Sequence, residues 1–508
     1  MTTTVMTWIA LGLYAALTAW LTIRSVMKTQ DLKSFSIGSG DIPPALIGLS
    51  LIAQLTSVAT FVINPGFIYF YGVSGLMGLG FSAALGITLG LIFFSARFRK
   101  VGTQVAALTL PQWIGARYNS VVLRLIFSVL SLALITFAVL IVVGVSLVLA
   151  GMLNIKVFWV ISGLVIFVLS YVMIGGANTH AYTNAIQAVI MLIVALILIG
   201  SGVHYFFQDG GLLGKIATIN PNLTTLVNPK SLYFRNFFEV FICNFLVGLA
   251  IVCQPHIVSK SLYLKEDSHV RQYLTVALIA GIVFLGVMVV GLYARVALPP
   301  QTKLDMVVPH YIAATFAPWL KVVISIGLLC AGLSTLEGIL LALSGIFSSD
   351  IYLTFLAKDE DENQNRKKAL AFGRTAMVVV AIVTIWLARW QVNNPSGGSV
   401  AIFAQYGVYL LFTTAFFPLA CGMFLPKVSR EAVTAGVISA FITYLVVAFN
   451  KITFMSNNPA FLATCALIVG WCVIGIVTMI KPNAEESATS TKEETPETST
   501  ETEASATA

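Results

Sequence analysis

Ser334, Thr335 and Glu337 stand within four consecutive positions of AGLSTLEGILLALSGIFSSDIY (331 to 352), a stretch otherwise apolar enough for a membrane helix. An ionisable side chain at bilayer depth costs about 2.5–3.5 kcal/mol on insertion scales, so by default it faces a cavity or an ion path. Two hydroxyls and a carboxylate one turn on are hard oxygen donors, the kind a small alkali cation takes over nitrogen or sulfur. The segment therefore reads as one wall of a cation site. A protonated Glu337 that only hydrogen-bonds across helices is the plainer alternative.

Such a wall needs a membrane bundle around it. Of the 508 residues, 58% are hydrophobic and 10% charged, with mean hydropathy +0.92. Soluble domains carry about 25% charge. Apolar runs of 20 or more residues, the length that crosses about 30 Å of hydrocarbon, recur at about 5 to 25, 43 to 71, 74 to 97, 122 to 150, 156 to 175, 183 to 206, 236 to 256, 273 to 298, 318 to 348, 373 to 391, 401 to 424, 432 to 450 and 458 to 480. Thirteen spans are expected. Lys and Arg are held in cytoplasmic loops; with the N-terminus outside, those loops, which include Arg24, Lys28, Lys33, Lys260 and Lys358, carry 20 of the 29. The expected placement is a multi-pass inner (plasma) membrane protein, N-terminus outside and C-terminus cytoplasmic.

The net charge of +8 divides into an acidic tail from Ala484, about −6, and a membrane body of about +14. A tail this polar, without aromatics, reads as disordered. The basic body is a topology signal and a contact for anionic lipid in the bilayer, not a nucleic-acid patch. Cys243, Cys253, Cys330, Cys421, Cys465 and Cys472 sit in apolar segments without CxxC spacing, as buried hydrophobes rather than disulfides or metal ligands.

Along the chain, GLSLIAQLTSVATFVINPGFIYFYG (48 to 72) carries Ser50, Gln54, Thr56, Ser57, Thr60, Asn64 and Pro65-Gly66. That pattern argues for a helix interrupted near the middle of the membrane, with freed carbonyls lining a cavity. LPQWIGARYNS (108 to 120, with the preceding Leu108-Thr109) reads as a short amphipathic helix along the inner surface. In IGGANTHAYTNAIQ (174 to 187) Gly175-Gly176 breaks one helix, Asn184 and Gln187 share a face of the next, and His180 is expected near the interface in a structural role. Pro255 interrupts CQPHIVSKSLYLKEDS (253 to 268), letting Gln254 and His256 face a cavity. The eleventh span holds Gln405 and then FFPLACGMF.

These segments, with STLEGILLALSGIFSSDIY and FFPLACGMFLPKVSREAVTAGVISAF, resemble in order and spacing the sodium:solute symporter family over about residues 5 to 480. The resemblance implies an all-α integral membrane fold of about 13 transmembrane helices in a leucine-transporter-type 5+5 inverted repeat. Residues 1–42 then hold the first helix and a cytoplasmic loop, 43–206 the first five-helix repeat, 207–424 an extracellular loop and the second repeat, 425–482 two C-terminal helices and 483–508 the tail. It further implies sodium as coupling ion, held by the backbone carbonyls of Ala53, Thr56 and Ala331 and the hydroxyls of Ser334 and Thr335.

Some relatives hold a second sodium with an aspartate in the sixth span and a hydroxyl three residues past the Ser334 position. Here those positions are Asn184 and Glu337, so Glu337, Asn184 and Gln187 are expected to form a second cation site or a proton site. By position in the second, seventh and eleventh spans, Gln54, Leu55, Thr60, Val247, Ala250, Gln254 and Gln405 are expected to meet a small-molecule solute. Galactose-type relatives place an asparagine and a tyrosine where this chain has Val247 and Ala250. Unpaired sugar hydroxyls would cost about 1–3 kcal/mol each, so a small organic anion such as a monocarboxylate or pantothenate is the favoured solute. An amino acid of the proline type, a sugar, and an uncoupled channel or sensor remain open. No convergent catalytic set is present, so an enzyme is not expected.

Overall fold

A computed structural model describes residues 2–26, 31–357, 361–394 and 399–480. Lys28, Lys358 and the acidic tail lie outside the described residues. Every regular element among those residues is helical. Ten helices are long and apolar enough to cross a membrane, and two further spans are bent pairs: Pro44–Leu55 with Ala59–Tyr71, bent by 51°, and Phe238–Ile251 with Pro255–Tyr263, bent by 58°. The count of twelve differs from the expected thirteen at one place. Val157–Gly200 is continuous, but Gly176 inside it has φ +55° and ψ −149°, a kink where the sequence reading ends the fifth span. A Cβ at Gly176 would lie 2.9 Å from the Phe35 carbonyl, so both backbone conformation and space demand glycine. Span ordinals below follow the sequence reading.

Both breaks fall in the segments where the sequence suggests an interruption. In the second span the chain leaves the helix at Thr56 and resumes at Val58, well before Pro65-Gly66. Ser57 Oγ accepts the Ala59 N–H at 3.1 Å and so starts the second piece. Pro65 lies inside this second piece, where its π-helical first turns give way to the α-helix Asn64–Tyr71. In the seventh span the break is at Val252–Gln254, and Pro255 opens the next turn. There the proline marks where the helix restarts.

The ninth span, Pro318–Leu356, is the most enclosed, with 89% of its apolar stretch buried against 22% for the first span. It packs on the Val157–Gly200 helix and on Pro44–Leu55. Large apolar side chains point outward elsewhere, among them Trp20, Ile166, Ile282, Ile382 and Ile442, as expected where the solvent is lipid. Gly86 and Gly248 let the third and seventh spans touch backbone to backbone: a Cβ at either would come within 2.2 Å of a carbonyl oxygen of the other helix. Cys472 is exposed and Cys465 half-buried, unlike the other four cysteines, which are buried as expected.

Leu110–Arg117 does not lie loosely along a surface. Trp113 is fully buried and stacked on Phe98; Arg117 Nε donates to the Gly422 carbonyl at 2.9 Å and Tyr118 to that of Pro418 at 2.8 Å. Nearby, fully buried Asp350 accepts from Arg124 Nε at 2.6 Å and Thr109 Oγ1 at 2.6 Å, pinning this helix and the fourth span to the end of the ninth. Asp350→Ala leaves both donors unpaired and is expected to lower stability by about 1–3 kcal/mol, read as a fall in Tm in detergent; an unchanged Tm would show that the cluster bears no load.

Candidate ion and solute site

In a continuous helix the N–H groups of Ser57 and Val58 would end on the carbonyls of Ala53 and Gln54. The break at Thr56 removes those donors, and the ninth span supplies replacements. Ser334 Oγ donates to the Ala53 carbonyl at 2.8 Å and Thr335 Oγ1 to that of Gln54 at 2.9 Å. The Ala331 carbonyl lies 3.1 Å from Ser334 Oγ and 3.4 Å from Thr335 Oγ1. Five uncharged oxygens thus converge in a fully enclosed place. Of the expected set, Ala53, Ala331, Ser334 and Thr335 come together here. Thr56 ends the helix beside them, and the Gln54 carbonyl joins them unforeseen.

One turn along, Glu337 is fully buried. One carboxylate oxygen accepts from Gln187 Nε2 at 2.7 Å and from the Tyr171 hydroxyl. The other accepts from Thr183 Oγ1 at 2.7 Å and lies 3.2 Å from His180 Nδ1. Gln187 also donates to the Tyr14 hydroxyl of the first span. Asn184 stands apart from this group: its Nδ2 donates to the Ser334 carbonyl at 3.2 Å and its Oδ1 has no partner. His180 is not near an interface but 1% exposed, wedged between Glu337 and Gln54 Oε1 at 3.4 Å. A carboxylate needs all its lone pairs met when buried, and positions 180, 183 and 187 of one helix face meet them.

A cavity of about 380 Å³ opens beside the break. Leu55, Thr60, Val247, Gln254 and Gln405 line it, as does Thr56; Gln54 and Ala250 do not. Ala250 is fully buried, and Gln54 turns to the opposite side of the break, into a smaller cavity with His180. Phe137, Asn64, Asn244 and Tyr409 complete the larger wall. No charged side chain lines it among the described residues.

The sequence model of the sodium:solute symporter family matches residues 35–440. The chain belongs to the sodium:solute symporter family. A sodium/pantothenate symporter of Haemophilus influenzae is 24% identical over 72% of this chain and 75% of its own length. A sodium/proline symporter of Escherichia coli is 27% identical over 82% of this chain and 83% of its own. A Na⁺-coupled sialic acid symporter, solved substrate-bound and outward-open, superposes with TM-score 0.79 at 18% identity, covering 94% of this chain and 98% of that one. The fold is accordingly the inverted repeat of that transporter class. Sodium is the coupling ion of this multi-pass membrane symporter.

The residues that sequence reasoning missed in the symporter are His180, Thr183 and Tyr171 around Glu337. The spacing of His180, Thr183, Asn184 and Gln187, three to four apart, was the available signal, since it sets one polar face on an otherwise apolar helix. Tyr171→Phe removes a donor from a buried carboxylate and is expected to cost about 1.5–3 kcal/mol; a Tm equal to wild type would show the contact to be idle.

Proposed function

We propose that this symporter carries a small organic anion, a monocarboxylate or a pantothenate-like acid, into the cell with sodium by alternating access, and that it is a transporter rather than an enzyme. The observation that supports this most is that Thr56 belongs to both places: it ends the helix at the converging oxygens and it lines the solute cavity. Sodium there would be held by the carbonyls of Ala53, Thr56 and Ala331 and the hydroxyls of Ser334 and Thr335. A neutral donor set suits a monovalent ion that must leave again. Ion and solute would then favour one shape jointly, and coupling is that difference in affinity between shapes. The mostly apolar, uncharged cavity gives poor partners for sugar hydroxyls. A proline-type amino acid is the second reading, supported by the 27% identical relative. The inner membrane, with the N-terminus outside and the C-terminus cytoplasmic, is the placement the charge bias favours.

Proteoliposomes with an inward sodium gradient test the reading. Labelled pantothenate or pyruvate should accumulate above its equilibrium level, and collapse of the gradient should release it. Accumulation of proline alone would establish the second reading, and flux that only equilibrates would mark a channel. Ser334→Ala and Thr335→Ala each delete one oxygen, worth about 1 kcal/mol, so each should raise the half-saturating sodium concentration roughly fivefold. Unchanged values would move the ion elsewhere.

We also propose that Glu337 takes part in ion coupling, as the buried charge nearest the sodium position, with Gln187 as its partner and without Asn184. Glu337→Gln should change the sodium-to-solute stoichiometry or the pH dependence of uptake. A variant with both unchanged reduces Glu337 to a tie between helices.

A further inference from the structure

Buried charges around the inner ends of the helices meet partners: Asp350 meets Arg124, and Arg99 meets Asp267 and the carbonyls of Leu264 and Lys265. Lys260 departs from that pattern. It is 1% exposed, its Nζ has no hydrogen-bond partner among the described residues, and the Tyr263 ring lies 4.7 Å from Nζ to centroid. An ammonium has three N–H groups to satisfy, and a ring face satisfies none of them as a hydrogen bond does. His256, 4% exposed, has both ring nitrogens unpartnered, and so has the Ser36 hydroxyl. All three line one small cavity with Gln54 and His180. Its volume, about 30 Å³, holds water but not an organic solute.

The position of this cavity is the telling feature. Gln254 faces the solute cavity, whereas the next two residues, Pro255 and His256, face the small one. Phe137, from the wall of the solute cavity, contacts the His256 ring at 6.5 Å between centroids. The two helix breaks are therefore a partition one residue thick. Beyond it, on the side that the charge bias assigns to the cytoplasm, stand a lysine and a histidine with unused donors. His180, which touches Glu337, lines the same cavity.

Resting on the organic-anion reading above, we propose that Lys260 and His256 form a carboxylate-binding station on the inner side of the breaks. The station takes the solute's carboxylate when the partition opens and hands it to the cytoplasm. It explains how an uncharged cavity passes an anion onward: the cation lies beyond the gate, so the anion gains its partner only in the inward-open shape, which biases that shape. A lysine rather than an arginine suits release, since a strongly hydrated point charge gives up its partner to water readily.

The test uses the full chain in proteoliposomes with labelled pyruvate, pantothenate and proline, comparing wild type, Lys260→Met, Lys260→Arg and His256→Gln. For a carboxylate that wild type accumulates, Lys260→Met should lower the maximal rate at least tenfold while sodium-dependent binding of that solute changes less than twofold; Lys260→Arg should keep that binding and restore part of the rate. His256→Gln should lower the rate severalfold, and serves where Lys260→Met does not fold. Full-rate carboxylate uptake by either folded variant overturns the station and leaves the organic-anion reading standing. A rate for Lys260→Arg as low as that for Lys260→Met, where the retained cation changes nothing, marks Lys260 as structural and also overturns it. Uptake of neither pyruvate nor pantothenate by wild type ends both proposals.

Discussion

The structure depends on two carbonyls that a broken helix cannot satisfy. In hydrocarbon an unpaired backbone group costs several kcal/mol, so a break at Thr56 stands only if something else meets Ala53 and Gln54. Ser334 and Thr335 do so from the ninth span. The relation is reciprocal: the hydroxyls need acceptors inside a helix that is buried along its length, and the break supplies them. An ion that replaces these hydrogen bonds with its own field finds the oxygens already gathered, which lowers the ordering cost of binding.

This pairing also explains why the solute cavity lies where it does. A helix that stops and restarts at 51° cannot fill the space its straight continuation would occupy. The same holds for the seventh span, bent by 58°, and the larger cavity lies against both breaks. The cavity and the gathered oxygens are two results of one interruption: Thr56 ends the helix and lines the cavity.

What the sequence disclosed follows from how local each feature is. Span positions and the buried hydroxyl pair were legible because apolar length and polar residues within it are properties of one segment. Gln54 and Leu55 are neighbours, yet only Leu55 reaches the solute cavity, because a side chain's direction at a break depends on where the helix ends. Lys260 was counted as a loop charge for topology; only the return of the chain after Pro255 buries it. His180 seemed peripheral because its partner, Glu337, is 157 residues away. Contacts between distant segments are invisible to periodicity.

The carboxylate at position 337 has a consequence for motion. Its partners Tyr171, His180, Thr183 and Gln187 all belong to the Val157–Gly200 helix, and Gln187 extends the set to Tyr14. A charge-assisted network of this kind is worth more than the sum of its bonds and resists rearrangement. It fastens the first, fifth, sixth and ninth spans into one body. The broken second span packs on that body but is hydrogen-bonded to it at the break by less: two hydroxyl-to-carbonyl bonds at Ala53 and Gln54, and one long contact of 3.4 Å from His180 to Gln54. On the alternating-access reading proposed above, the joint that would move is the one held by these fewer hydrogen bonds, and an entering sodium ion would exchange those same bonds for its own.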